Sequence, residues 1–433
     1  MIDKFHEKLK SLSGDKKSVL ALVGGTTIAQ GLNFIFSPIQ TRLFTPEVFG
    51  ELTVFNSITG IIGIIICLRY ELAIVLPEDD DEGFNLLKLS FLFALLVSLI
   101  SLLLFGFFGY QIYSLFNAKG LAKYWYYVPA TLFLTGIIQA SNYWLTRKRN
   151  FTLLSYNKVL PVVALNLVSI GLGFAGNRVL GARLFSILLS NIVNIGVIAI
   201  VLVPEFKYKK VNSIKTIELI KKYKNSLLYD TWGSLINNLS WMIVPILMNY
   251  YYGSYAAGQY SIGLRVIQLP ISIIGSSIAQ VFIKTASEKK SQKQLYDYVK
   301  GISLKLLKYT LPFGILMLVF GKWIFSFTFG TQWERSGIYV QILAPWAILW
   351  FISSPISSIY IIMQKQNISF FTSSLNLITR ILSLYIGYRF KSDILGLVLF
   401  MISGLLVSGI SIFLCFILAK KNDTVIVLSP SKN

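Results

Sequence analysis

Two arginines stand deep inside long apolar runs of the sequence. Arg265 lies about nine residues into the run 256–283 and Arg380 about 13 residues into the run 367–389, or about 14 and 20 Å along a helix rising 1.5 Å per residue. A guanidinium so placed costs at least about 2.5–3.5 kcal/mol on insertion scales, so it should face protein or water. No acidic residue in the deep part of a run offers an obvious partner, since Glu51 and Asp230 lie nearer the ends. Unpaired deep cations invite an anionic ligand, and a guanidinium suits phosphate because it binds oxygens in pairs. The alternative is an arginine that caps backbone carbonyls at a helix break, for which Pro270 lies close to Arg265. Arg69 and Arg183 stand at the ends of their runs, where a long side chain reaches the interface. They are expected as cations at a cavity rim.

Polar residues recur at helical spacing in three other runs. Thr26, Gln30, Asn33, Ser37 and Thr41 fall on one face of a 3.6-residue helix. Ser234, Asn238, Trp241, Pro245 and Asn249 repeat the same spacing, and Thr135, Gln139, Asn142 and Thr146 add a third stripe. Such side chains either bond across packed helices or line a hydrated cavity. The cavity reading makes Gln30, Asn33, Gln139, Asn142, Asn238 and Trp241 candidate substrate-binding residues beside Arg265 and Arg380.

Other chemistries lack their residues. The single histidine, His6, lies in the polar N-terminal stretch, which leaves no His-based metal site, proton relay or catalytic triad. Cys67 and Cys415 each sit in an apolar run, where a thiol behaves as a small hydrophobe. No G-x-x-x-x-G-K-[ST] motif occurs, so no cofactor or ATP hydrolysis is expected. Work would be driven by an H+ or Na+ gradient, the membrane potential or the substrate's own disequilibrium.

The elements that must position these residues follow from composition. Of 433 residues, 55% are hydrophobic and 14% charged, with a mean hydropathy of +0.65. A soluble domain is about a quarter charged, and spanning a bilayer takes about 20 apolar residues. The chain reads as an all-α polytopic membrane protein in a phospholipid bilayer. Twelve spans are expected, at about 18–40, 48–70, 86–112, 124–146, 156–176, 181–203, 226–250, 256–283, 303–328, 337–362, 367–389 and 393–418. The weakest boundary is 251–255, between spans seven and eight. The N-terminus is not expected to be a cleavable signal.

Charge placement orients the spans. One side collects Lys4, Lys8, Lys10, Lys16 and Lys17, the 147–158 cluster, the seven lysines of 207–224 and the lysines of 284–305. The other side has Arg42, Lys119, Lys123, Arg178, Lys322, Arg335, Arg389 and Lys391. Positive residues favour the cytoplasm, so both termini are expected there. The net charge of +21 is then topology, and a nucleic-acid partner is not implied. The acidic run Pro77-Glu78-Asp79-Asp80-Asp81-Glu82-Gly83 is expected to be a solvated loop. Residues 2–10 could form an interfacial amphipathic helix or a plain charged tail.

A parallel repeat is legible as well. A shift of 208 residues aligns Gly25 with Gly233, Thr26 with Ser234, Gln30 with Asn238 and Gly50 with Gly258; a shift of 217 aligns Ser141 with Ser358, Tyr143 with Tyr360, Lys148 with Lys365 and Asn150 with Asn367. The expected organisation is a tail at 1–17, a six-span lobe at 18–203, a connector at 204–225, a second six-span lobe at 226–418 and a tail at 419–433. Parallel repeats place a substrate site near the midplane.

Several stretches carry a resemblance. Thr41-Arg42-Leu43-Phe44-Thr45-Pro46-Glu47-Val48-Phe49-Gly50 resembles the polysaccharide-transport family of lipid-linked oligosaccharide flippases. So do Arg69-Tyr70-Glu71-Leu72-Ala73-Ile74-Val75-Leu76-Pro77 with its acidic loop, Tyr143-Trp144-Leu145-Thr146-Arg147-Lys148-Arg149-Asn150-Phe151, and Ala257-Gly258-Gln259-Tyr260-Ser261-Ile262-Gly263-Leu264-Arg265. The resemblance implies the fold of the multidrug/oligosaccharidyl-lipid/polysaccharide (MOP) exporter superfamily, with two six-helix lobes around a central cavity. It implies an inner-membrane flippase of undecaprenyl-pyrophosphate-linked repeat units for O-antigen, capsule or similar polymers, with a polysaccharide polymerase and chain-length machinery as partners. Cationic cavity residues for pyrophosphate or acidic sugars agree with the reading of Arg265; for Arg380 the family motif says nothing. A peptidoglycan-precursor flippase shares the same implied fold. A drug–cation antiporter would need a membrane-embedded carboxylate, which the deep spans lack. A polymerase or ligase would need a catalytic outer loop, and the longest here is about 113–123.

Overall fold

The computed structural model describes residues 14–208 and 213–425, and every long element among them is a helix. The segment 2–10 lies outside the described residues, as do 209–212 of the connector and the last residues of the C-terminal tail. In chain order come α1 (Gly14–Leu43), α2 (Pro46–Gly63), the single turn α3 (Tyr70–Ala73), α4 (Asp80–Leu115), α5 (Tyr127–Arg147), α6 (Phe151–Phe174) and α7 (Leu180–Tyr208). Then follow α8 (Ser213–Pro270), a π-turn at Ile271–Gly275, α9 (Ser276–Ser291), α10 (Leu295–Phe329), α11 (Glu334–Ile356), the turn α12 (Ile359–Ile362), α13 (Gln366–Arg389) and α14 (Asp393–Val425). The chain is a multi-pass membrane protein.

The helix ends follow local chemistry. Asp79 caps α4 by accepting from the Asp81 amide at 2.9 Å, and Asn150 caps α6 by accepting from the Leu153 amide at 3.2 Å. Inside α8, Gly253 has φ 86° and ψ 170°, which breaks the helix within the 251–255 gap between spans seven and eight. Pro270 cannot donate its backbone hydrogen bond, and the π-turn follows it at once.

Span two departs from the sequence reading. Its run of isoleucines promises helix to residue 70, but α2 stops at Gly63 and i→i+3 turns carry the chain through Leu68 and Arg69. These two have φ of 49° and 65°, the left-handed region that side chains rarely enter. Ile66 and Cys67 are buried here, as irregular backbone at membrane depth must be.

Among the described residues, six helical segments are long and apolar enough to cross a membrane by length and composition: Asp80–Leu115, Phe151–Phe174, Leu180–Phe206, Leu295–Phe329, Thr331–Ile362 and Asp393–Thr424. The other expected spans coincide with α1, α2, α5, the two arms of α8 with its π-turn, and α13. Those elements hold Gln30, Asn33, Gln139, Asn142, Asn238, Trp241, Arg265 and Arg380. These polar residues lower the hydropathy of their spans.

The described residues fall into two compact units. The first takes those up to Phe44 and Val54–Leu235, the second Thr45–Thr53 and those from Ile236 onward. In the first, α4 packs on α5, α5 on α7, and α6 on both α1 and α7. In the second, α10 packs on α11, α11 on α14, and α13 on α14, while Arg380 and Tyr252 tie α13 to α8. Spans three to six and nine to twelve thus repeat one pairing scheme. Turn geometry corrects the register of the repeat at the end of span four: left-handed Arg149 and Gln364 occupy matching links, a shift of 215 rather than 217.

Candidate functional site

In the first unit the site is built around a carboxylate. Glu71 lies on α3, just after the left-handed pair, and is 0% exposed. Gln139 Nε2 donates to Glu71 Oε1 at 2.9 Å, and Arg69 Nη1 lies 3.9 Å from the same oxygen. Gln139 is about 12 Å along α5 from Arg147, taking 1.5 Å per residue, so the carboxylate is held well inside the helical layer. Gly136 makes the close approach possible: a Cβ there would sit 2.5 Å from Ala94 Cβ and 3.0 Å from Ile66. The sequence reading placed Glu71 beyond the end of span two and found no deep acid; the chain's break at residues 64–69 brings it back inside. A readable signal existed, namely an acid two residues from an arginine with apolar neighbours on both sides.

The remaining first-unit candidates divide. Asn166 Nδ2 donates to Asn33 Oδ1 at 3.0 Å, and Gln40 Nε2 donates to Asn166 Oδ1 at 2.7 Å. Asn33 is therefore cross-helix glue between α1 and α6. Gln30 is half-buried, and the Asn142 side-chain oxygen is buried with no hydrogen-bond partner among the described residues. Arg183 does not reach an interface as expected of a rim cation. It is 4% exposed, donates to Ser169 Oγ at 2.6 Å and stacks its guanidinium 5.3 Å from the Phe44 ring. A nearby hydroxyl and an aromatic face satisfy the charge better than a long reach to water.

The acidic loop is likewise anchored rather than merely solvated. Arg147 donates Nε to Asp80 at 2.9 Å, Nη1 to the Ile74 and Pro77 carbonyls at 3.1 and 2.6 Å, and Nη2 to the Glu78 carbonyl at 3.1 Å. Lys148 adds a short contact to Asp80. This clasp fixes the chain segment that follows Glu71.

In the second unit the buried ion is a guanidinium. Arg380, 3% exposed, donates Nη1 to the Ser240 carbonyl at 2.7 Å and to Ser240 Oγ at 3.1 Å. Its guanidinium lies 4.1 Å from the Trp241 ring, 5.3 Å from Phe400 and 5.8 Å from Trp346. Two candidates from distant spans, Arg380 and Trp241, are thus in contact, and Asn238 stands exposed one turn from Trp241. Arg265 is half-buried and makes no hydrogen bond or ion pair among the described residues. The helix break at Pro270 exists, but Arg265 does not cap it.

Two repeat-matched glycines meet in this unit. A Cβ on Gly50 would lie 1.9 Å from the Ser254 carbonyl oxygen, and one on Gly258 would lie 1.8 Å from that of Pro46. Small residues permit this backbone approach between spans.

A family described as "Polysaccharide biosynthesis protein" matches residues 39–338. The chain belongs to this family. Its fold is shared by solved structures of the MOP superfamily. Three solved structures share the fold of this chain. One described as "Lipid II flippase MurJ, inward closed conformation" is 14% identical, with a TM-score of 0.72 over 94% of this chain and 91% of that one. An inward-facing multidrug resistance MATE family transporter of the MOP superfamily is 16% identical, with a TM-score of 0.71 over 94% and 99%. A MOP superfamily transporter from Pyrococcus furiosus, described as having a binding pocket of reverse polarity, is 15% identical, with a TM-score of 0.56 over 95% and 98%. No curated protein matches the sequence significantly.

Proposed function

We propose that this protein is a flippase that moves an undecaprenyl-pyrophosphate-linked oligosaccharide from the cytoplasmic to the outer leaflet of the inner membrane by alternating access. The observation that carries the reading is Arg265, a guanidinium within span eight without a protein partner among the described residues. A deep cation left unpaired by the fold is poised for an anion brought by the substrate, and pyrophosphate oxygens match its paired donors. Membership of a polysaccharide biosynthesis family supports a saccharide-bearing cargo. The polymer served is O-antigen, capsule or a similar surface polysaccharide, with a polymerase and chain-length machinery acting on the delivered units.

Glu71 supplies the coupling step. It is a fully buried carboxylate held by the neutral Gln139 amide, a group that can carry a proton. Proton uptake at Glu71 on one face and release on the other would drive export. A drug–cation antiporter would also use such a carboxylate, but the unpaired Arg265 repels a cationic cargo.

Depletion of the protein followed by extraction of lipid-linked oligosaccharides tests the reading. Repeat units should accumulate on the cytoplasmic leaflet while surface polymer falls. Repeat units that reach the outer leaflet unpolymerised would instead mark a polymerase or ligase. Arg265→Ala should reduce surface polymer at unchanged protein level and insertion; full polymer output from the stable variant would remove Arg265 from the mechanism.

A further inference from the structure

A second, separate site lies within the second unit. A cavity of about 270 Å³ is walled by Trp241, Trp346 and Trp350 at one end and by hydroxyl and amide side chains elsewhere, with Arg380 among its lining. The three indoles pack as a cluster: Trp350 lies 4.5 Å from Trp241 and 5.1 Å from Trp346 between ring centroids. The rest of the wall is polar to a degree that a structural core inside a membrane does not require.

The polar groups point to a particular ligand. Ser353, Ser357 and Thr372 donate their hydroxyl protons to carbonyls of their own helices, at 3.1, 2.8 and 3.0 Å. Their remaining lone pairs are acceptors, which suit the hydroxyl donors of a polyol. Asn237 and Asn376 make no side-chain hydrogen bond among the described residues, so their amides offer both donors and acceptors. Arg380 commits Nη1 to Ser240 and holds its plane on Trp241, which leaves Nε and Nη2 without a hydrogen-bond partner.

Aromatic surface, a ring of hydroxyl acceptors and one cation together describe a sugar. A pyranose is apolar on its C–H faces, which rest on indole, and polar at its rim. Small-molecule sites combine an apolar wall with a few placed polar groups in this way. We infer that this cavity binds one carboxylate-bearing pyranose of the transported oligosaccharide, with the sugar carboxylate toward Arg380 and its hydroxyls toward the serine and asparagine wall. Pyrophosphate fits less well, because its oxygens are acceptors that the lone pairs of the hydroxyl wall cannot serve, and it would leave the indoles unused. An acyl or prenyl chain would bury the hydroxyls and amides without partners. The inference rests on the flippase reading for the source of the sugar, but the cavity's chemistry stands without it.

The test is a binding titration on the full-length protein in detergent micelles, followed by tryptophan fluorescence. Methyl glucuronide, methyl glucoside and inorganic pyrophosphate are the probes. Both glycosides should give a saturable change, with the glucuronide bound about tenfold more tightly, the scale of one charge-assisted contact. Arg380→Gln should remove that preference. Asn376→Leu breaks no hydrogen bond within the protein and should weaken both glycosides; it decides the matter if Arg380→Gln fails to fold. Absence of saturable change with either glycoside, indifference of the titration to Asn376→Leu, or displacement of the glycosides by pyrophosphate overturns the inference. If the glycosides bind but depletion leaves lipid-linked sugars unmoved, the flippase reading falls and the cavity stands. If depletion traps those lipids but no glycoside binds, the cavity inference falls alone.

Discussion

The two units use one pairing scheme of helices but differ in the buried ion at their polar sites. It is a carboxylate in the first, where Arg183 is also enclosed, and a guanidinium in the second. In the first, Glu71 is fully enclosed, takes a hydrogen bond from Gln139 and has Arg69 at 3.9 Å. In the second, Arg380 is enclosed by Trp241, Trp346 and Phe400 and bonds only to Ser240. The surroundings of the two ions differ in kind. The carboxylate has a neutral amide and a cation beside it, the setting on which the proposed proton-exchange role rests. A guanidinium has donors and no acceptor, so it suits holding an anionic or acceptor group. On the proposed reading, the first unit supplies the group that exchanges a proton and the second the group that holds the cargo.

The largest effect expected from breaking this division is at Glu71. Glu71→Gln keeps a partner for Gln139 but removes the exchangeable proton, and surface polymer should fall by at least about tenfold, a barrier change of about 1.4 kcal/mol. Transport into vesicles should also lose its dependence on a pH gradient. Arg380→Gln should keep the gradient dependence and raise the substrate concentration needed for half-maximal transport. Identical phenotypes for the two variants would show that the units do not divide the labour.

How much of this was visible in the chain differs between the two ions. Arg380 announces itself, since a charge in the middle of an apolar run is rare and easily placed by counting residues. Trp241 was marked by its place in a polar stripe, and the contact between the two follows from folding α8 against α13. Glu71 was hidden because the break before it contains no proline or glycine to announce it. Leu68 and Arg69 enter the left-handed region through tertiary packing around Ile66 and Cys67, which local propensity does not encode. Arg183 misled for the converse reason: its position at a span end suggested the interface, while its partners Ser169 and Phe44 come from elsewhere in the fold. The spans themselves were legible because apolar runs of this length have few other uses.

A smaller difference separates the links after spans four and ten. Arg147 ties the acidic loop through Asp80 and three carbonyls. At the matching place in the second unit, the Ile362 carbonyl receives Lys290 Nζ at 3.0 Å. Arg147→Ala should therefore destabilise the protein by about 3 kcal/mol, because several carbonyls and a carboxylate lose charged donors together. Lys290→Ala should cost about 1 kcal/mol. Thermal unfolding in micelles measures both, and equal shifts would mean that the clasp around the acidic loop carries no special weight.

The smallest effect compares two asparagines on helices that occupy matching positions in the units. Asn166 on α6 accepts from Gln40 and donates to Asn33. Replacing it with leucine leaves both partners searching for bonds, at a cost of about 1–2 kcal/mol given the modest value of interhelical bonds in membranes. Asn376 on α13 lines the tryptophan-walled cavity, and its side-chain amide makes no hydrogen bond among the described residues, although its backbone carbonyl accepts from Thr379 Oγ1 at 3.2 Å. Asn376→Leu should leave the unfolding temperature nearly unchanged, within about 0.5 kcal/mol. Both side chains are amides inside a membrane, so hydropathy treats them alike; only the partners differ. A stable Asn376→Leu protein with weakened sugar binding, beside an unstable Asn166→Leu protein, would separate polar residues kept for packing from those kept for cargo. If Asn376→Leu unfolds as readily as Asn166→Leu, the second unit's polar wall is glue as well, and the contrast between the units reduces to Glu71 and Arg380 alone.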